Sequence, residues 1–421
     1  MKTFIHIFKA TVLAALFATT IVACTDDIDY PKGQGPEGEA ATVTLKINVA
    51  EAVKLSRATS DTYVKNLWVG IFNASSSTCT YSGFHTTETD VTNHDNFKEL
   101  KDINCKSGNS YIVAVANYDG YTATDMRDKT SGSLEDKLKD VKNWDDYCAL
   151  AIEQNMAAGG VDISVAEPSN ELIMSGSYYE TSHSAIVVPD RMEPVYIEPN
   201  NSTLSGAIHL RRLWAKNTLN ISATGDIIAM ELLDIEVFNV PKYSWIQDRS
   251  VAVDVKEDIA DDNAGDLMNS KALDNTSYLS SMRFTPPAEI SVSDGVYSFS
   301  YWQFENKRTG TSTSYEARDR EYKDGANKNT GVYTSLCPTA EGNVNNNATY
   351  VKIHANITYK NPANLVNPDG VGVGNGDNQL PPSAASRTAE VTYVVHLGYI
   401  DGIATDFNCH RNTNYLSLIH I

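Results

Sequence analysis

A mainly β protein of two sandwich domains is what this sequence predicts, and three observations lead there. Short runs of alternating apolar and polar residues recur along the 421 positions. The connections between them are long and polar, and only one segment has helical spacing. A chain of this length holds two domains with cores of their own. They are expected at residues 41–205 and 206–421, behind a 1–23 leader and a 24–40 tether.

The elements follow in chain order. In TVTLKINV, Val43, Leu45, Ile47 and Val49 face one way, while Thr44, Lys46 and Asn48 face the other. YVKNLWVGIFN (63–73) and SYIVAVANY (110–118) are denser in apolar residues, as strands inside a sandwich are. The segment from Ser133 to Asn155 places Leu134, Leu138 and Val141 at helical spacing. Ser133 and Asp136 form a weak capping box there. One or two helices are therefore expected over the N-terminal sandwich. Strands resume at 171–179, 194–199 and 206–222. In MELLDIEVFNVPK, Leu233, Ile235 and Val237 alternate with Asp234 and Glu236 before Pro241 stops the strand. Further strands are read at 296–306, 349–360 and 389–400. Polar connections are read at 256–277, 306–329 and 361–386.

The first residues assign the compartment. Lys2 and Lys9 precede an apolar run from Ala10 to Ala23, too short to span a bilayer and built like a secretory signal. IVAC resembles the bacterial lipobox, with Ile21 in place of the usual leucine. Cys24 is then the acylated N-terminus after cleavage, anchored in the membrane through its lipid. TDDID after it resembles the acidic surface-export signal of Bacteroidetes lipoproteins. Residues 26–40, rich in Pro, Gly and acids, read as a flexible tether.

Composition excludes some partners. Lys and Arg number 34 against 53 Asp and Glu, a net charge of −19, which repels nucleic-acid backbones. Beyond Cys24, the cysteines Cys79, Cys105, Cys148, Cys337 and Cys409 are odd in number and scattered. They indicate neither a zinc site nor a disulfide framework, and any one pairing stays open.

Pieces spread along the chain resemble the fimbrillin superfamily of Bacteroidales, the subunits and accessory proteins of type V pili. They are the lipobox at Cys24, VKNLWVGIFN, HLRRLWAKNTLNIS, IEVFNVPKYS, YWQFENKRTG, and YVVHLGYIDG with DFNCHRNTNY. The resemblance implies two transthyretin-like β-sandwiches and export as an outer-membrane lipoprotein that ends in a surface fimbrium. It also implies an arginine-specific maturation protease that removes the lipidated arm with its first strand. The groove so opened takes a strand donated by a neighbouring subunit. KLSRATS puts Arg57 and Ala58 at the fitting place for that cleavage, with Val43, Leu45, Ile47 and Val49 on the displaced strand. Shaft, anchor and tip roles stay open. Residues 416–421, LSLIHI, read as a translated sequencing adapter, so the C-terminal domain is expected to be truncated near Tyr415 and to lack its donor strand. The alternative is a genuine short strand through Leu416, Leu418, Ile419 and Ile421.

No G-x-S-x-G, H-E-x-x-H or Walker loop occurs, so no catalytic residues, cofactor or metal are expected, and the chain reads as a non-enzyme. His209 and His354 are expected to face outward from strands, and His85 and His94 to sit in a polar loop region. Asp369, Asn375 and Asp377 lack calcium-loop spacing. The rival reading is a surface lipoprotein that keeps its lipid and binds a glycan, or a host or bacterial surface ligand, without polymerising. Tyr178, Tyr179, Trp302, Tyr315 and Tyr322 are its candidate stacking residues.

Overall fold

A computed structural model describes residues 36–49, 53–54, 64–86, 99–153, 172–180, 192–248 (apart from 224, 226, 239 and 242), 282–284, 296–306, 349–360, 386–397 and 409–420. The chain is mainly β, as expected. The N-terminal sandwich contains β1 (Ala40–Val49), β3 (Asn66–Asn73), β4 (Cys79–Thr86), β5 (Glu99–Lys106) and β6 (Gly108–Ala116). It also contains β10 (Met174–Tyr179), β11 (Val195–Ile197), β12 (Asn200–Thr203) and β13 (Ala207–Arg212). One layer is β13-β10-β6-β3-β4, with β11 on the edge of β6, and β5 and β12 flank the first half of β1. The core between the layers holds Val43, Leu45, Leu67, Val69, Ile71, Ile112 and Ile208.

β3 and β6 are dense in apolar residues because both of their faces are covered. The second face, carrying Trp68, Phe72, Val113 and Val115, packs under α1 (Leu134–Lys139), α2 (Trp144–Cys148) and a small sheet. That sheet joins β7 (Thr122–Asp125), β8 (Thr130–Ser133), β9 (Leu150–Glu153) and β16 (Tyr243–Trp245) in the order β16-β9-β7-β8. Of the one or two helices expected over the N-terminal sandwich, two form, both short, and the strand β9 follows them. The Ser133 hydroxyl caps α1 by accepting from the Asp136 N–H at 3.2 Å. Asn143 then restarts the helix with a full capping box: its Oδ1 accepts from the Asp146 N–H at 2.9 Å, and Asp146 Oδ2 accepts from the Asn143 N–H at 3.2 Å. Leu150, Ala151 and Ile152 lie beyond the cap and are drawn into strand pairing with β7 and β16.

The C-terminal sandwich contains β2 (Val53–Lys54), β14 (Trp214–Ser222), β15 (Ile227–Phe238), β17 (Met282–Phe284), β18 (Tyr297–Phe304), β19 (Tyr350–Lys360), β20 (Ser386–His396) and β21 (Thr413–His420). One of its sheets is ordered β18-β14-β21-β2 and the other β17-β15-β19-β20. Their common core includes Leu219, Ile221, Ile235, Val237, Phe299, Tyr301, Val351 and Ile353. In β15, Ile235 and Val237 face the core as read from the sequence, but Leu233 does not continue that face. A bulge between Leu232 and Asp234 shifts the alternation, so Leu232 takes the core position. Thr413–His420 form β21. Tyr415 and Ile419 are its core-side residues, while Leu418 is exposed.

The expected domain boundary at Ser205 falls too early, because β13 is hydrogen-bonded into the first sheet and the chain crosses at buried Leu213. The reason is continuity: in LRRLW, Leu210 packs in the core of the first sandwich and Leu213 and Trp214 in the apolar cluster on its outer face, and Leu213 N–H donates to the Ile173 carbonyl at 3.2 Å. The polar connections at 256–277, 307–329 and 361–385 lie outside the described residues.

One guanidinium ties the two sandwiches together. Arg411, 2 % exposed, donates to Glu305 Oε1 from Nη2 at 2.6 Å and from Nε at 2.9 Å. Its other donors reach the Trp245 carbonyl at 2.8 Å, Ser175 Oγ at 3.2 Å and the Ile246 carbonyl at 3.3 Å. Ser175 belongs to the first sheet and Glu305 follows β18 of the second. Arg211 in β13 pairs with Asp248 beside them. Burial alone would lower the pKa of Arg411, but Glu305 and Asp248 more than offset it, and the net shift is upward. Arg411→Met strands the buried Glu305 carboxylate and is expected to destabilise the chain by about 3–5 kcal/mol in urea denaturation. Glu305→Leu added to it is expected to recover most of that loss.

Candidate strand-exchange site

The strand-exchange reading of the sequence turns on β1, and its burial follows the expected alternation. Val43 and Leu45 are fully buried and Ile47 nearly so, while Lys46 and Asn48 are exposed; Val49 packs at the rim of the core. Burying the Val43, Leu45 and Ile47 side chains stabilises the sandwich by about 5–9 kcal/mol in sum.

The first half of β1 is paired on both edges. It runs parallel to β12 (Ala41↔Asn200 to Thr44↔Thr203) and antiparallel to β5 (Ala40↔Lys106 to Lys46↔Glu99). Its second half leaves for the other layer and runs parallel to β13, with Ile47↔Ile208 and Val49↔Leu210. A bulge makes the change of layer possible. Between Val43↔Ile103 and Leu45↔Leu100, β5 spends an extra residue, and Asp102 takes φ 57° there, adding local twist. One N-terminal strand thus bridges both layers of the sandwich.

The approach to β1 is fastened as well. Residues 36–39, expected within the tether, are held against the β5–β6 turn. Gly38 N–H donates to the Ser107 carbonyl at 2.9 Å, Glu39 N–H to Ser107 Oγ at 3.0 Å, and the Ser107 hydroxyl to the Pro36 carbonyl at 2.8 Å. Gly108 at φ +120° permits this contact, since a Cβ there would meet Glu37 Cγ at 2.9 Å. The expected tether therefore stops short of residue 36. Arg57 and Ala58 lie outside the described residues, between β2 and β3, and Cys24 also lies outside them. β2 runs parallel to β21 (Val53↔Thr413, Lys54↔Asn414), so the segment ahead of Arg57 pairs with both sandwiches.

Residues 41–190, which contain β1 and most of the sandwich it completes, match the family of the major fimbrial subunit protein FimA. The fimbrillin resemblance is borne out over this segment. The matched segment ends before β11, β12 and β13, so it covers β1 and β5 but not the parallel partners of β1. No curated protein matches the chain. Among solved structures, the tip fimbrial protein Mfa3 of Porphyromonas gingivalis, with a C-terminal truncation, is similar at 11 % identity and a TM-score of 0.40. That match covers 91 % of this chain and 94 % of the other. A fimbrilin, FimA, of Porphyromonas gingivalis is similar at 12 % identity and a TM-score of 0.43, over 89 % of this chain and 88 % of the other. Likenesses of this size do not bear on function.

The other sequence candidates fare unevenly. Tyr178 and Trp302 are buried, which removes them as stacking platforms, and Tyr179 packs beside His209 with ring centroids 6.2 Å apart. Tyr315, Tyr322, His94, Asp369, Asn375, Asp377 and Cys337 lie outside the described residues. His85 is in β4 rather than a loop, and its Nε2 is 3.1 Å from the Tyr81 hydroxyl. His354, expected to face outward, is half-buried beside Asp234. Cys79 and Cys105 are free thiols. Cys105 is singled out by the structure alone: it lies opposite Ala41 on β5, the strand beside β1, and burial pushes its pKa up to about 11. No local signal marks it, because the pairing spans sixty-odd residues of chain.

Leu45→Ala is expected to cost about 2–5 kcal/mol in chemical denaturation, whereas Lys46→Ala on the opposite face stays within about 0.5 kcal/mol.

Proposed function

We propose that the chain is a fimbrial subunit or adhesin that assembles at the cell surface by strand exchange. In this reading Cys24 carries the temporary lipid anchor in the outer membrane, and an arginine-specific protease cuts between Arg57 and Ala58. Release of the segment ahead of the cut takes β1 and β2 with it. The observation that supports the reading is the position of β1: it fills the core and pairs on both edges, yet it is the first strand among the described residues. Its departure keeps the ladder from β13 through β10, β6 and β3 to β4, and leaves β5 and β12 without the strand they pair with. The slot it vacates offers an apolar floor and unpaired backbone groups on β5, β12 and β13. A donated strand with apolar side chains at alternate positions satisfies both. The same release uncovers one edge of β21. The protein's own chemistry in this scheme is non-covalent, and its partners are other fimbrial subunits.

Cys105 reports on the slot. In the intact protein the thiol is buried and its raised pKa keeps it protonated at neutral pH, so alkylation by iodoacetamide is expected to be slow. Digestion of the full chain with an arginine-specific protease is expected to release the segment ending at Arg57, speed alkylation of Cys105 and yield oligomers. A synthetic peptide of residues 40–49 is expected to restore the protection, and Arg57→Ala to block all three changes. Cleavage at Arg57 with β1 retained and Cys105 still protected would sink strand exchange and favour a lipid-retaining, ligand-binding surface protein.

A further inference from the structure

On the outward face of the second sandwich, three side chains converge that nothing above employs. Asp234 and Glu236 lie two residues apart on β15, and His354 lies on β19 directly opposite Asp234. One ligand-type atom from each falls within 4.8 Å of the others. The bulge at Leu233 creates this arrangement. Counting from Leu232↔Ala355, an unbroken ladder would put Asp234 opposite Ile353, on the core side; the extra residue moves it opposite His354 and turns it outward.

Hydrogen bonding within the group is incomplete. His354 Nδ1 stands 3.5 Å from Asp234 Oδ1, at the outer limit for a hydrogen bond. His354 Nε2 is buried and has no hydrogen-bond partner. An imidazole with neither nitrogen well satisfied in a half-buried site is costly to leave so. The 3.5 Å gap has a simple alternative meaning. Two ligand atoms each about 2.0–2.2 Å from one tetrahedral ion sit about 3.3–3.6 Å apart.

The nearest cation does not compete for the site. Lys352 is opposite Glu236, but its Nζ lies 4.8 Å over the Phe238 ring and 6.0 Å from that of Tyr350. Phe238 and Tyr350 are themselves stacked, with centroids 4.8 Å apart. The ammonium is held on this aromatic pair, and Glu236 forms no ion pair among the described residues.

We propose that Asp234, Glu236 and His354 form a binding site for a divalent transition ion of the zinc class. One imidazole and two carboxylates match the ligand preferences of Zn²⁺, whereas Ca²⁺ and Mg²⁺ take oxygen ligands in larger number. Three protein ligands leave a fourth position for water. The ion would cross-link β15 to β19 at the bulge, where the ladder between them is interrupted.

Calorimetric titration of the full chain with Zn²⁺ tests this, with thermal unfolding followed in parallel. One equivalent is expected to bind and raise Tm, with Ca²⁺ and Mg²⁺ inert. His354→Gln and Glu236→Gln are each expected to weaken binding by roughly tenfold or more, and His85→Gln is expected to leave it unchanged. Glu236 is only partly buried, so Glu236→Gln gives a folded variant even if His354→Gln does not. Absence of saturable Zn²⁺ binding, or equal binding by wild type and Glu236→Gln, would overturn the site.

Discussion

The buried ion pair of Arg411 with Glu305 sets the relation on which the other features rest. A guanidinium out of contact with water is tolerable only when its donors are matched, and here carboxylate, hydroxyl and two backbone carbonyls match them. These partners come from the first sheet, from the segment around β16, and from the end of β18. Satisfying one side chain therefore fixes three parts of the chain against each other. Apolar packing continues the same junction through Leu213, Trp214, Ile246, Trp302 and Phe304, which share a core with the outer face of β3 and β6. The two sandwiches meet across a continuous core.

This rigidity gives β1 its meaning. A strand whose loss is to leave an ordered slot must be bordered by elements that stay in place without it. β6, β10 and β3 are ladder-paired to one another and covered on their outer face by the helices and the small sheet. β13 is held by β10 on its other edge and continues through Leu213 into β14. The weak members of the surround are β12, a four-residue strand, and β5, each of which has β1 as its ladder partner among the described strands. A slot emptied of β1 would thus keep its β13 wall and loosen at β5 and β12.

The bulges in β5 and β15 show one device used for two ends. At Asp102 the extra residue twists β5 so that β1 can pass from one layer to the other. At Leu233 it reverses the alternation of β15 and brings Asp234 out of the core to face His354. Each bulge leaves the core residues on both sides in register, so the departure from regular alternation is absorbed locally.

By itself the sequence determined what depends on neighbours along the chain. The alternation of Val43, Leu45, Ile47 and Val49 names a half-buried strand, and the unbroken apolar runs name β3 and β6 as interior strands, because side-chain direction in a strand follows from parity alone. Local patterns also carried the fimbrillin resemblance that the 41–190 match bears out. Only the tertiary structure decided which strands are neighbours. The parallel pairing of β1 with β12 and β13, the placement of Cys105 beside Ala41 and the grip of Arg411 on Glu305 join residues between 64 and 161 positions apart. The strand that follows the two helices is illegible in the sequence for the same reason, since β9 takes its pairing from β7 and β16. Periodicity reports which way a side chain points, and long-range pairing settles what it meets.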